Sequence, residues 1–190
     1  MKFLKIILIV ILLVAGLIYF VAIPYIHSET KKFSPAKTAT LELNGSSLEV
    51  DYSSPSKKGR DIFGELVPFG KIWRTGANEP TTFTTTEQIK IIDKPLPAGR
   101  YSLWTIPNKD SWKVIFNTEV PKWGVTRIDG DQTTHETKHD FLTVEIPVQN
   151  LEKPVEEFSI NFDSLEVNQK EQHFLSLAWD KTKIMVPIYK

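Results

Sequence analysis

The sequence predicts an all-β domain, an antiparallel β-sandwich of jelly-roll or Greek-key-like type with about nine strands, preceded by one N-terminal transmembrane helix. Three observations predict it. Apolar residues recur with period two along most of the chain after residue 37. Gly, Pro and Asn turns interrupt these runs at short intervals. A charge-free stretch, IILIVILLVAGLIYFVAIPYI, runs from Ile6 to Ile26. With 41% hydrophobic and 24% charged residues, the 190-residue chain has an ordinary globular composition.

The apolar stretch comes first in the chain. At a rise of ~1.5 Å per residue it spans roughly 30 Å, the thickness of a bilayer's hydrocarbon core. Lys2 and Lys5 precede it, and Tyr19 and Tyr25 lie near its far end, where aromatic rings favour the interface. A cleaved signal peptide has a shorter apolar core and small residues at its cleavage site. The Ala22–Ser28 region lacks that pattern, and a chain without cysteine has no lipid-modified cysteine. The expectation is therefore an uncleaved, single-pass anchor over residues 1–27 that meets the membrane through residues 6–26. SETKKFSPAK reads as a polar linker over residues 28–37, and residues 38–190 read as one domain. Lys31, Lys32 and Lys37 offset Lys2 and Lys5 in the positive-inside balance. A short basic start leading a long apolar run is nevertheless the export pattern, which places the domain outside the cytoplasm. Residues 37–190 carry a net charge of −3 without a basic cluster, so no nucleic-acid partner is expected.

Each strand has its own signal. In TLELNGSSLEV, Leu41 and Leu43 alternate, Asn44-Gly45 supplies a hairpin turn, and Leu48, Val50 and Tyr52 alternate again. TTFTTT (81–86) and IKII (89–92) are β-branched runs, and DKPLPAG (93–99) reads as a turn-rich connection. Tyr101, Leu103 and Thr105 alternate before a turn at 107–110, followed by WKVIFN (112–117). FLTVEI (141–146), FSINF (158–162), FLSLAW (174–179) and KIMVPI (183–188) complete the set. A single helical turn capped by Asp61 is compatible with residues 61–66.

The blocks GRDIFGELVPFGKIWRTGANEPTTFT and LPAGRYSLWTIPNKDSWKVIFN, Trp123-Gly124, and the closing LSLAWDKTKIMVPI resemble the bacterial family catalogued as domain of unknown function 2911. The resemblance covers nearly all of the chain after the linker. It implies an exported or membrane-anchored, mostly β domain to which no activity is assigned.

The densest chemistry lies in the first block. If KIWRT (71–75) runs extended, Trp73 points to one face and Ile72 and Arg74 to the other. A covered guanidinium needs a partner, and Glu79 is the nearest carboxylate beyond the turn at Gly76 and Asn78. One reading is a structural Arg74–Glu79 clamp over a core indole. The other is a pocket in which Arg60, Arg74 and Asn78 present donors beside Trp73, with Glu79 orienting Arg74. Arg60 alone reads as a solvated loop charge that joins the pocket only if its loop folds back. The tryptophans, with Trp104 and Trp112 flanking one hairpin, read first as core. His135 and His139 in THETKHD lie some 13 Å apart if extended, at ~3.3 Å per residue, so no metal site is expected. No nucleophile elbow or phosphate-binding glycine loop is present, and no cofactor is expected.

The functional expectation is a non-catalytic domain that binds a small polar ligand, a glycan or another envelope component through Arg60, Trp73, Arg74, Asn78 and Glu79. The alternatives are a hydrolase using a carboxylate or histidine at the same rim, and a structural partner recruited through a strand edge.

Overall fold

A computed structural model describes residues 2–125, 133–167 and 169–190. The chain divides into two compact units, Met1–Phe33 and Ser34–Lys190.

The first unit is helical. Helix α1 covers Lys2–Leu17, a π-helical turn covers Ile18–Ala22, and α2 covers Ile23–Lys32. Pro24 explains the widened turn: it has no N–H for the carbonyl of Phe20, and its ring crowds that oxygen. Helical geometry continues through the polar residues 28–32, so Phe3–Lys32 forms one helical span long and apolar enough to cross a membrane.

Among the described residues the second unit holds ten strands: β1 (Ala36–Leu43), β2 (Ser46–Ser53), β3 (Thr81–Thr85), β4 (Ile89–Ile91), β5 (Lys94–Leu96), β6 (Gly99–Pro107), β7 (Ser111–Asn117), β8 (Asp140–Pro147), β9 (Gln149–Val167) and β10 (Lys170–Tyr189). They form a six-stranded sheet in the order β1-β2-β3-β6-β7-β8 and a four-stranded sheet in the order β5-β4-β10-β9. All strand pairs are antiparallel. This is the predicted all-β sandwich behind an apolar helix.

The period-two pattern works as the pleat requires. Leu48, Val50, Phe83, Leu103, Val114 and Phe116 point inward from the larger sheet. Phe158, Ile160, Leu175, Leu177, Val186 and Ile188 meet them from the smaller one, all within one buried cluster. Asn44 (φ 47°) and Gly45 (φ 86°) make the turn between β1 and β2, where Leu43 pairs with Ser46. Both residues sit in the left-handed region, as the tight hairpin turn demands.

The structure differs from the sequence expectation at four places. FLSLAW and KIMVPI are one strand, because the chain crosses Ala178–Thr182 through irregular pairing instead of leaving the sheet. DKPLPAG contains β5, whose Pro95 is tolerated because β5 is an edge strand. Residues 61–67 form a turn, with Val67 N–H donating to Ile62 O at 2.8 Å and no helix. KIWRT is extended only locally, through an isolated bridge from Trp73 to Thr105.

At one end of the sandwich the core is aromatic. Trp73 stacks on Trp179 (6.1 Å between centroids, 16° between planes), and Phe63, Trp112 and Phe158 meet Trp73 edge-on. Trp104 faces the opposite side of the six-stranded sheet, where His135 covers it at 5.3 Å.

Candidate functional site

The aromatic end is built by residues 59–82, whose glycines and polar residues form a compact corner. Trp73 exchanges backbone hydrogen bonds with Thr105 at 2.7 and 2.9 Å, and the chain then reverses sharply. Thr75 (φ 57°), Gly76 (φ 150°) and Asn78 (φ 58°) all take positive φ. A Cβ at residue 76 would lie 2.8 Å from the Ser53 carbonyl oxygen, so glycine is needed for the close approach to β2. Side chains fasten the corner. Trp73 Nε1 donates to Gly76 O at 3.0 Å, and Thr81 Oγ1 donates to Thr75 O at 2.5 Å.

This scaffold projects Arg74. Its aliphatic stem lies so close to Gly124 that a Cβ there would fall 2.1 Å from Arg74 Cδ. Gly124 N–H in turn donates to Asn78 O at 3.1 Å. Arg74 Nε is buried without a hydrogen-bond partner. Among the described residues no carboxylate forms an ion pair with it. Desolvation lowers its pKa from the ordinary arginine value. A guanidinium nevertheless keeps its proton in proteins, so the site holds a partly desolvated positive charge that no carboxylate among the described residues pairs.

Beside Arg74 lies a cavity of about 930 Å³. Leu66, Val67, Pro68, Ile72, Trp73 and Val125 form its apolar wall. Lys71, Glu65 and Thr133 add polar groups to the rim. An apolar wall with one fixed cation suits an anionic group carried on an apolar body.

The five residues singled out from the sequence divide here. Arg74 and Trp73 line the cavity, Trp73 with most of its ring committed to the core. Arg60 is held on its own turn, donating from Nε to Lys57 O at 3.0 Å and from Nη2 to Ser56 O at 2.6 Å. It does not line the cavity. Asn78 is buried, and its amide points toward Ser34 O (3.4 Å) and Ser53 Oγ (3.5 Å). It shapes the corner without reaching the cavity. Among the described residues no ion pair joins Glu79 to Arg74, and Glu79 does not line the cavity.

The histidines fall into separate environments. His135 is 3% exposed at its side chain and meets Asp140 Oδ1 at 2.6 Å, with Asn117 Nδ2 donating to the same oxygen at 2.8 Å. His139 lies beside Glu119 (3.4 Å) and Glu136 (4.0 Å). That trio places three ligand-type atoms within 4.8 Å of one another. Lys138 already pairs with Glu136 there at 2.5 Å.

A family model described as "Protein of unknown function (DUF2911)" matches residues 34–188, which is the whole sandwich from just before β1 almost to the end of β10. The chain belongs to the DUF2911 family. No curated protein and no solved structure matches it. The DUF2911 domain therefore coincides with the second compact unit, and both the corner and its cavity lie inside it.

Sequence reasoning missed two contributors to this end of the DUF2911 domain. Gly124, quoted only as part of a Trp-Gly pair, is the surface on which Arg74 rests. Trp112, read as core, has an indole N–H buried without a partner. Neither fact has a local sequence signal, since each depends on a contact between distant segments.

Proposed function

We propose that this DUF2911 domain binds a small ligand whose anionic group pairs with Arg74 and whose apolar part fills the adjoining cavity. We also propose that the N-terminal helix anchors the domain at a membrane, with the domain outside the cytoplasm. The observation that carries the ligand reading is Arg74 itself, buried at Nε, without an ion-pair partner among the described residues and beside a cavity large enough for a small molecule. Buried charges are ordinarily paired, and a carboxylate or similar anion supplies the missing partner with bidentate geometry. The exported orientation rests on the basic start followed by the long apolar span.

The test uses the full chain in a zwitterionic detergent, with benzoate and its uncharged isostere benzamide as probes. At about ten times Kd a ligand adds roughly 1.4 kcal/mol, a rise in Tm of a few degrees for a domain of this size. Benzoate is expected to produce that rise and benzamide is not. Arg74→Met is expected to remove the response while the protein stays folded. A rise that survives Arg74→Met, or an equal rise with benzamide, sinks the reading.

A further inference from the structure

We infer that Glu119, Glu136 and His139 bind a divalent transition-metal ion, zinc by their ligand chemistry, at the base of the connection between β7 and β8. Their ligand atoms, one from each side chain, all lie within 4.8 Å of one another. Local structure brings them together. Glu119 stands just beyond the end of β7, and Glu136 precedes the 3₁₀ turn Thr137–His139 that leads into β8. In such a turn residues three apart eclipse, so Glu136 and His139 share a side. His139 N–H donates to Glu136 O at 3.1 Å to close the turn.

All three backbones are fixed from neighbouring groups. Asn117, 1% exposed, accepts from Glu119 N–H at 2.9 Å and donates to Glu136 O at 3.0 Å through the two ends of its amide. Thr118 N–H donates to His139 O at 2.9 Å, and Ser102 Oγ donates to Glu119 O at 2.5 Å. The ligand side chains therefore start from set positions, which lowers the cost of ordering them around an ion. His139 Nε2 stands 3.4 Å from Glu119 Oε2 and 4.0 Å from Glu136 Oε2. A tetrahedral zinc ion with bonds of about 2.1 Å holds its donors roughly 3.4 Å apart, so one pair already fits and the other closes by about half an ångström. An imidazole beside two carboxylates suits zinc, whereas magnesium and calcium take oxygen ligands. Three protein ligands on half-exposed side chains leave the remaining position to water.

Lys138 Nζ meets Glu136 Oε2 at 2.5 Å and balances one of the two carboxylate charges. It is an exposed competitor on a flexible stem, and such pairs hold weakly. A divalent ion balances both carboxylates at once. His135 takes no part, since its Nε2 faces Asp140 at 2.6 Å. A bound ion ties residue 119 to residues 136 and 139, the two ends of the connection that brings Gly124, Val125 and Thr133 to the Arg74 cavity.

The experiment follows the imidazole directly. The untagged, ¹⁵N-labelled full chain in a zwitterionic detergent is titrated with zinc chloride, and the His139 ring signals are identified by their loss in His139→Gln. A saturable change at those signals is expected, with Kd of roughly 10 µM. Glu119→Gln and Glu136→Gln, both at exposed positions, are each expected to weaken binding about tenfold or more. Lys138→Gln is expected to tighten it about threefold by removing the competitor. His173→Gln is expected to change nothing, and magnesium to bind at least about a hundredfold more weakly. Unmoved His139 signals up to about 1 mM zinc overturn the proposal. So does equal affinity for magnesium, zinc affinity untouched by both glutamate substitutions, or weaker binding in Lys138→Gln.

Discussion

At the scale of single residues, Arg74 is a cost to the fold, since among the described residues no carboxylate pairs with its partly desolvated guanidinium. An unpaired, partly desolvated cation destabilises the folded state, and an apolar side chain of similar length removes that penalty. Arg74→Met is therefore expected to raise stability in urea unfolding by roughly 1–2 kcal/mol. A loss of stability would instead identify Arg74 as a structural clamp. Gly124 provides a complementary test. Because a methyl group there collides with the Arg74 stem, Gly124→Ala is expected to displace the guanidinium and abolish the benzoate response, at a stability cost of about 1–3 kcal/mol. Extended backbone would send Trp73 and Arg74 to different faces, yet at the corner both border one cavity. Sequence alone placed Arg60, Asn78 and Glu79 with them on proximity along the chain. The corner's three positive-φ residues bend the path between Arg74 and Asn78, so residues close in sequence end in different surroundings.

At the scale of elements, most strands were legible because one buried face imposes a strict two-residue period. The exceptions are instructive. Pro95 carries the chemistry of a turn, and an edge position tolerates it as strand. The Asp180 region carries breaks in pattern that read as a loop, yet the ladder continues beyond it. The same hairpin holds a pH-dependent pair, Asp163 and Lys183, at 2.8 Å. Burial pushes the Asp163 carboxyl up, but hydrogen bonding from Lys183 and Ser176 and the charge of Lys183 outweigh it and hold the pKa below its ordinary value. A depressed carboxylate stabilises the fold above its unfolded pKa, and that contribution is lost as pH falls through the folded value. Asp163→Asn is thus expected to cost roughly 0.5–1 kcal/mol near neutral pH, after allowance for solvent screening, and almost nothing near pH 2. Equal losses at both pH values would show that packing, not charge, governs the site.

At the scale of the whole molecule, the two compact units make separate demands on solvent: an apolar helix that water rejects and a sandwich with its own core. A chain beginning at Ser34 is expected to be soluble and to unfold with the same midpoint as the domain in the full-length protein. A shifted midpoint would show that the helix contributes to domain stability. The absence of cysteine makes the orientation directly testable. A cysteine at exposed Lys153 is expected to react with a membrane-impermeant maleimide on intact cells, and protection until lysis would place the domain inside.

The smaller sheet draws two of its four strands, β9 and β10, from the last part of the chain. During translation every strand of the larger sheet emerges before this pair, with its inner apolar face still uncovered. A nascent chain can therefore be threaded onward before it closes, because the piece that seals the interior is the last to arrive.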